Sequence, residues 1–280
     1  MHIYLPIAGV SVDAFSLLAL GTVVGILSGI FGVGGGFLLT PFLIFMGIPA
    51  PVAVASGANQ VVGASMSGVI AHWRRGNGDV RMGMVLLAGG LVGSLGGVEL
   101  FGWLKRLGQI DLVIGVSYVA MLGSIGGSMA YESLSAMLRG RGRTIAHKRH
   151  RHLAQSLPWK MRFPKSGLYI SVLLPFGVGL FGGVLAAIMG VGGGFILVPL
   201  MIYILEMPTK VVIGTSLFQV IFVTANVTFL QAVRTHTVDV VLALVRLIGG
   251  VIGAQFGSRM GAKLPAERLR GLLALLVLVV

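Results

Sequence analysis

Residues 30–41 read IFGVGGGFLLTP and residues 188–199 read IMGVGGGFILVP, one pattern that returns after 158 positions. An internal repeat sets the architecture, so it takes precedence over any local motif. With single-residue gaps the correspondence continues. Pro49 pairs with Pro208, Gln60 with Gln219 and Asp79 with Asp239, while Gly89, Gly90, Gly93 and Gly97 pair with Gly249, Gly250, Gly253 and Gly257. Chance similarity between apolar segments does not produce such a series. The chain therefore reads as two copies of one unit, 1–131 and 168–280, joined by a linker over 132–167. At the last offset, 109–131 predicts a partner that starts near 269, so the sequence is expected to break off inside its final helix.

The units are built for lipid. Of 280 residues, 56% are hydrophobic and 10% charged, and mean hydropathy is +0.97, which excludes an ordinary soluble enzyme. Glycine supplies 44 residues without a collagen period, which fits close-packed transmembrane helices. There is no cysteine, hence no disulfide, thiolate metal site or cysteine nucleophile. A helix needs about 20 residues to cross about 30 Å of hydrocarbon. Apolar runs lie at 11–30, 36–48, 51–73, 82–104, 109–131, 168–188, 194–205, 210–233, 239–261 and from 268 onward. The second and seventh are too short to cross as straight helices. The expected fold class is all-α: a polytopic transmembrane helix bundle of two homologous, inverted repeats with broken or re-entrant helices.

A net charge of +13 would suggest nucleic acid on a soluble protein. Position excludes that: the nine basic residues from Arg139 to Lys165, and Arg74, Arg75 and Arg81, are loop charges that mark the cytoplasmic side. In the second copy the basic residues gather after the next span instead, at Arg259, Lys263, Arg268 and Arg270. Matching helices then run in opposite directions, as in inverted-repeat transporters. The first Lys or Arg is Arg74, so the first apolar stretch lacks the basic start of a signal peptide and is expected to remain a span. Trp73, Trp103 and Trp159 fit interfacial anchors.

GVGGGF, at 32–37 and 190–195, does not fit the nucleotide-binding templates: no glycine falls at Phe37 and no Lys-Ser or Lys-Thr follows. Consecutive glycines break a helix at membrane depth, which is tolerated only where the backbone is buried in protein or lines a cavity. The half-helix that follows offers a positive end to an anion. Gly34, Gly35 and Gly36, with Gly192, Gly193 and Gly194, are thus candidate substrate contacts.

These paired GVGGGF-x-x-x-P elements are each followed by a helix bearing Ser/Thr, Asn and Gln and then by a glycine-rich helix. They resemble the TauE/SafE family of sulfite and organosulfonate exporters, also called toluene-sulfonate uptake permeases. The resemblance covers nearly all of the chain outside the basic linker. It implies a multi-pass bacterial inner-membrane transporter of a small sulfur-containing or organic anion.

Ser56, Asn59 and Gln60 in the first copy, and Thr215, Ser216 and Gln219 in the second, lie within apolar spans. Ser56 and Gln60 share a helix face, as do Thr215 and Gln219. They read either as uncharged donors for an oxyanion or as bonds between helices. Arg246 lies about 10 Å inside its span, where a charge is a functional candidate or a snorkelling side chain. Its counterpart is Leu86, so it stands outside the duplicated pattern. His147, His150 and His152 have metal-like spacing, but the Lys and Arg around them repel a cation, so no metal is expected. No cofactor motif and no catalytic constellation occurs.

No span carries a central carboxylate of the kind proton relays use. The expected function is movement of a small anion outward, with an anion channel or a proton-coupled uptake permease as the alternatives. The expected partners are the anion and the lipid bilayer. The oligomeric state is open.

Overall fold

The computed structural model describes residues 2–31, 36–73, 76, 78–138 and 158–261. Gly34, Gly35, the run from His147 to His152 and the segment from 268 onward lie outside the described residues. Nine helices account for most of the described chain: α1 (Ala14–Phe31), α2 (Gly36–Phe45), α3 (Ala50–Trp73), α4 (Val80–Arg106), α5 (Ile110–Leu138), α6 (Leu173–Met189), α7 (Gly194–Tyr203), α8 (Thr209–Leu230) and α9 (Val240–Gly261). A π-helical turn at Gln231–Thr235 prolongs α8. Among the described residues, Val80–Arg106, Val211–Thr235 and Val240–Met260 are both long and apolar enough to cross a membrane. α2 and α7 are the two short segments, at ten residues each, with Pro41 and Pro199 at matching positions inside them. The proline ring removes a backbone donor there, which weakens any continuation as a full span.

The all-α expectation needs one correction. Two antiparallel hairpins are present: β1 (His2–Leu5) with β2 (Val10–Asp13), and β3 (Lys160–Phe163) with β4 (Leu168–Ser171). Each turns through Pro-x-x-Gly, Pro6–Gly9 and Pro164–Gly167. Gly9 and Gly167 take φ of +66° and +67°, the left-handed conformation that glycine adopts without a Cβ penalty. A search for 20-residue apolar runs passes over four-residue strands. Leu5 and Phe163, the strand residues before each turn, are fully buried.

Glycine governs the helix packing. α1 lies against α9 and α4 against α6. A Cβ at Gly89, Gly93 or Gly97 of α4 would stand 2.0–2.9 Å from the carbonyl oxygens of Phe176, Leu180 or Val184 on α6. On α9, Gly249, Gly253 and Gly257 meet the carbonyls of Leu18, Thr22 and Ile26 on α1 at 2.0–2.5 Å by the same measure. These helices approach backbone to backbone, the geometry that small residues permit where lipid supplies no hydrophobic drive between helices. Arg234 in the π-helical turn pairs with Glu99 of α4.

α3 and α8 cross the middle. Trp73, at the end of α3, stacks on Phe218, midway along α8, with ring centroids 5.4 Å apart. At its opposite end, α3 bonds through Ser56 to Asp239, which follows α8. The two helices are therefore antiparallel.

Candidate functional site

The starts of the two short helices converge on the end of α6. α6 ends at Gly190, with φ of +69°, and α7 starts after Gly193, at φ of +72°. A Cβ on Gly36, the first residue of α2, would come within 2.9 Å of both the Gly190 carbonyl oxygen and Val191 Cα. One residue on in each half-helix, Phe37 stacks on Phe195 with centroids 4.4 Å apart and planes 17° from parallel. The starts of α2 and α7 thus meet face to face, both buried.

Carbonyls freed at the end of α6 find side chains. The Met189 oxygen accepts from the Tyr118 hydroxyl at 2.8 Å and from Thr40 Oγ1 at 3.4 Å. The Ala187 oxygen accepts from Gln231 Nε2 at 2.9 Å. This is how a broken helix is tolerated away from water. The sequence reading did not single out Tyr118 or Gln231, because their partners come from distant helices.

The polar pairs of α3 and α8 are buried, but they face different neighbours. Gln60 Nε2 donates to the Gly21 carbonyl of α1 at 3.1 Å and packs on Gly250 of α9. Gln219 packs on Gly90 of α4, and neither its Nε2 nor its Oε1 has a partner. The structure therefore separates them into two clusters, α1–α3–α9 around Gln60 and α4–α6–α8 around Gln219. Ser56 Oγ and Thr215 Oγ1 accept the backbone N–H groups of Asp239 and Asp79, each at 3.0 Å. Ser216 bonds within its own helix, to the Ile213 carbonyl at 3.0 Å. Asn59 is half-buried.

Arg246 stands apart in its chemistry. It is fully buried, and its Nε donates to the Leu242 carbonyl one turn back at 3.0 Å. Both terminal guanidinium nitrogens lack a hydrogen-bond partner among the described residues. Its backbone lies against Gly21, the residue whose carbonyl Gln60 engages. Arg246 and Gln60 therefore border one position of α1, and Gln60 Oε1 is also without a partner. The corresponding place in the other cluster, where Gly179 meets the α4 backbone, is held by Leu86. A guanidinium offers five N–H donors in a planar fork. Buried with both terminal nitrogens unbonded among the described residues, this one presents donors and positive charge suited to an oxyanion.

The profile of the family described as "Sulfite exporter TauE/SafE" matches residues 17–280. The chain is 24% identical over 262 residues to "Probable membrane transporter protein YunE" of Bacillus subtilis (strain 168), covering 90% of this chain and 89% of that one. It is 27% identical over 250 residues to a "Probable membrane transporter protein" of Xylella fastidiosa (strain 9a5c), covering 89% and 85%. A second Bacillus subtilis protein, "Probable membrane transporter protein YjnA", is 24% identical over 268 residues, covering 94% and 96%. No solved structure gives a significant match.

Proposed function

Given that the chain belongs to the TauE/SafE sulfite exporter family, and is accordingly a membrane transporter, we propose that it exports a small sulfur-containing or organic anion across a bacterial inner membrane. The observation that carries the anion is Arg246, buried with two unpartnered guanidinium nitrogens. Burying such a charge costs several kcal/mol; Asp239, before the start of the same helix, offsets part of it, and an oxyanion on the guanidinium would offset more. Gln60 beside it supplies an uncharged amide that replaces part of the anion's hydration. The glycine starts of α2 and α7 bring the positive ends of two half-helices together, a second feature suited to an anion.

The reading extends to architecture: 1–131 and 168–280 are copies of one unit, inverted about an axis in the membrane plane and joined by a basic cytoplasmic linker over 132–167. The antiparallel run of α3 and α8 and the matched glycine contacts support it. Export follows from energetics. An anion leaving a cell with a negative interior gains about 2.3 kcal/mol per charge per 100 mV, so no coupling ion is required. The chain acts as a carrier and not as an enzyme.

Binding tests this reading directly. Thermal unfolding of the purified protein should shift upward with sulfite, thiosulfate, sulfoacetate or a small organic acid, and not with size-matched neutral solutes. At about 100 times the dissociation constant the stabilisation is about 2.7 kcal/mol. Equal response to charged and neutral solutes would contradict the proposal.

A further inference from the structure

The mechanism so far leaves two buried aspartates unused. Asp79 and Asp239 precede α4 and α9, and each carboxylate caps its helix through Oδ1, accepting from Met82 N at 3.2 Å and Leu242 N at 3.1 Å. Capping needs no more than that. Yet each aspartate reaches two further elements. The Asp79 N–H donates to Thr215 Oγ1 of α8, and its Oδ2 accepts from Ser166 N at 3.0 Å and Ser166 Oγ at 2.7 Å, in the β3–β4 turn. The Asp239 N–H donates to Ser56 Oγ of α3, and its Oδ2 accepts from Ile7 N at 3.0 Å, in the β1–β2 turn. The same three-way tie of helix start, hairpin turn and polar helix is built twice.

The ties lie at opposite ends of the bundle. Gly78, next to Asp79, packs on Trp73 at the end of α3, whereas Ser56 lies near its start. Seventeen residues of helix between them span about 26 Å, close to the thickness of the hydrocarbon layer. Each hairpin also covers a core: Leu5 packs in the cluster that holds Ala53, and Phe163 in the one that holds Val212. A hairpin that swings away exposes the cluster beneath it. One hydrogen bond to Asp239 holds the β1–β2 hairpin and two to Asp79 hold the β3–β4 hairpin, few enough for thermal release.

We propose that Asp79 and Asp239 are the latches of two gates on opposite faces, released one at a time so that the buried site opens to each side in turn. This rests on the transporter reading above. The latches are unequal: Ser166 Oγ gives Asp79 an additional bond, while the residue after Ile7 is Ala8, which has no hydroxyl. One bond to a carboxylate biases the two openings by about tenfold or more, so the face closed by the β1–β2 hairpin opens more readily.

The chain has no cysteine, which makes cysteine accessibility a direct test. Val212→Cys and Ala53→Cys place reporters at fully buried positions in the clusters that the two hairpins join, read with a membrane-impermeant maleimide applied from either face. Asp79→Asn should raise labelling of the Val212→Cys reporter about tenfold and leave the Ala53→Cys reporter unchanged, and Asp239→Asn should do the reverse. Ser166→Ala should raise only the first. If the asparagine variants fail to fold, Thr215→Val and Ser56→Ala remove only the accepting hydroxyls and should give the same face-specific pattern. Equal change at both reporters, or change at neither, overturns the proposal. Face-specific labelling in a protein that moves no anion would instead refute the transporter reading alone. Anion flux without face-specific labelling would refute the latches alone.

Discussion

Arg246→Leu should make the protein more stable and leave it unable to carry its anion. The substitution places in the α1–α3–α9 cluster the residue type that Leu86 already supplies in the α4–α6–α8 cluster. It removes a fully buried guanidinium whose two terminal nitrogens have no partner. Replacing buried charge with apolar volume is often neutral or stabilising, by 1–4 kcal/mol in the best-studied cases. Charge-assisted hydrogen bonds to the anion would be lost at the same time, at about 1.5–3 kcal/mol each, so flux should fall by about a hundredfold. Thermal unfolding in detergent and flux in proteoliposomes, measured on one preparation, separate these effects. A variant that loses stability and retains flux would make Arg246 a structural residue.

Gly93→Ala should break the bundle where Gly96→Ala does not, although three residues separate them on one helix. A Cβ at Gly93 would stand 2.0 Å from the Leu180 carbonyl oxygen, and α4 and α6 could relieve that contact only by moving apart. At Gly96 nothing lies within 4 Å. Overpacking against backbone costs about 1–3 kcal/mol or more, while Gly→Ala in an unobstructed helix stabilises by about 1 kcal/mol. The two variants should therefore shift the unfolding temperature in opposite directions. Gly253→Ala, which meets the Thr22 carbonyl at 2.2 Å, should behave as Gly93→Ala does.

The contrast between Gly93 and Gly96 also marks what the sequence could convey. Gly93 was legible because Gly253 repeats it, and the repeat picks out the glycines that face another helix. The short segments were legible as half-helices for a related reason, since GVGGGF and a proline recur at the same offset in both. Residue pairing across the fold was less accessible. Ser56 and Gln60 share one face of α3, as their spacing implies, but which helix that face meets depends on the whole bundle. Gln60 and Gln219 correspond in the repeat, while packing places them in separate clusters. The hairpins leave a faint signal in the sequence: LPIAG at 5–9 and FPKSG at 163–167 lie 158 residues apart. Four-residue strands carry too little periodicity to register against long apolar helices. The ties of Asp79 and Asp239 then followed out of view, because a capping position shows in sequence and its third partner does not.

The central claim is that this chain moves an anion along the membrane potential through the site at Arg246, and flux under an imposed voltage tests it most directly. In proteoliposomes, a potassium diffusion potential should drive sulfite or an organosulfonate with saturable kinetics and in proportion to substrate charge. A pH gradient at clamped voltage should change the rate little. Strong acceleration by the pH gradient alone, with no response to voltage, would contradict the account and identify proton-coupled uptake in its place.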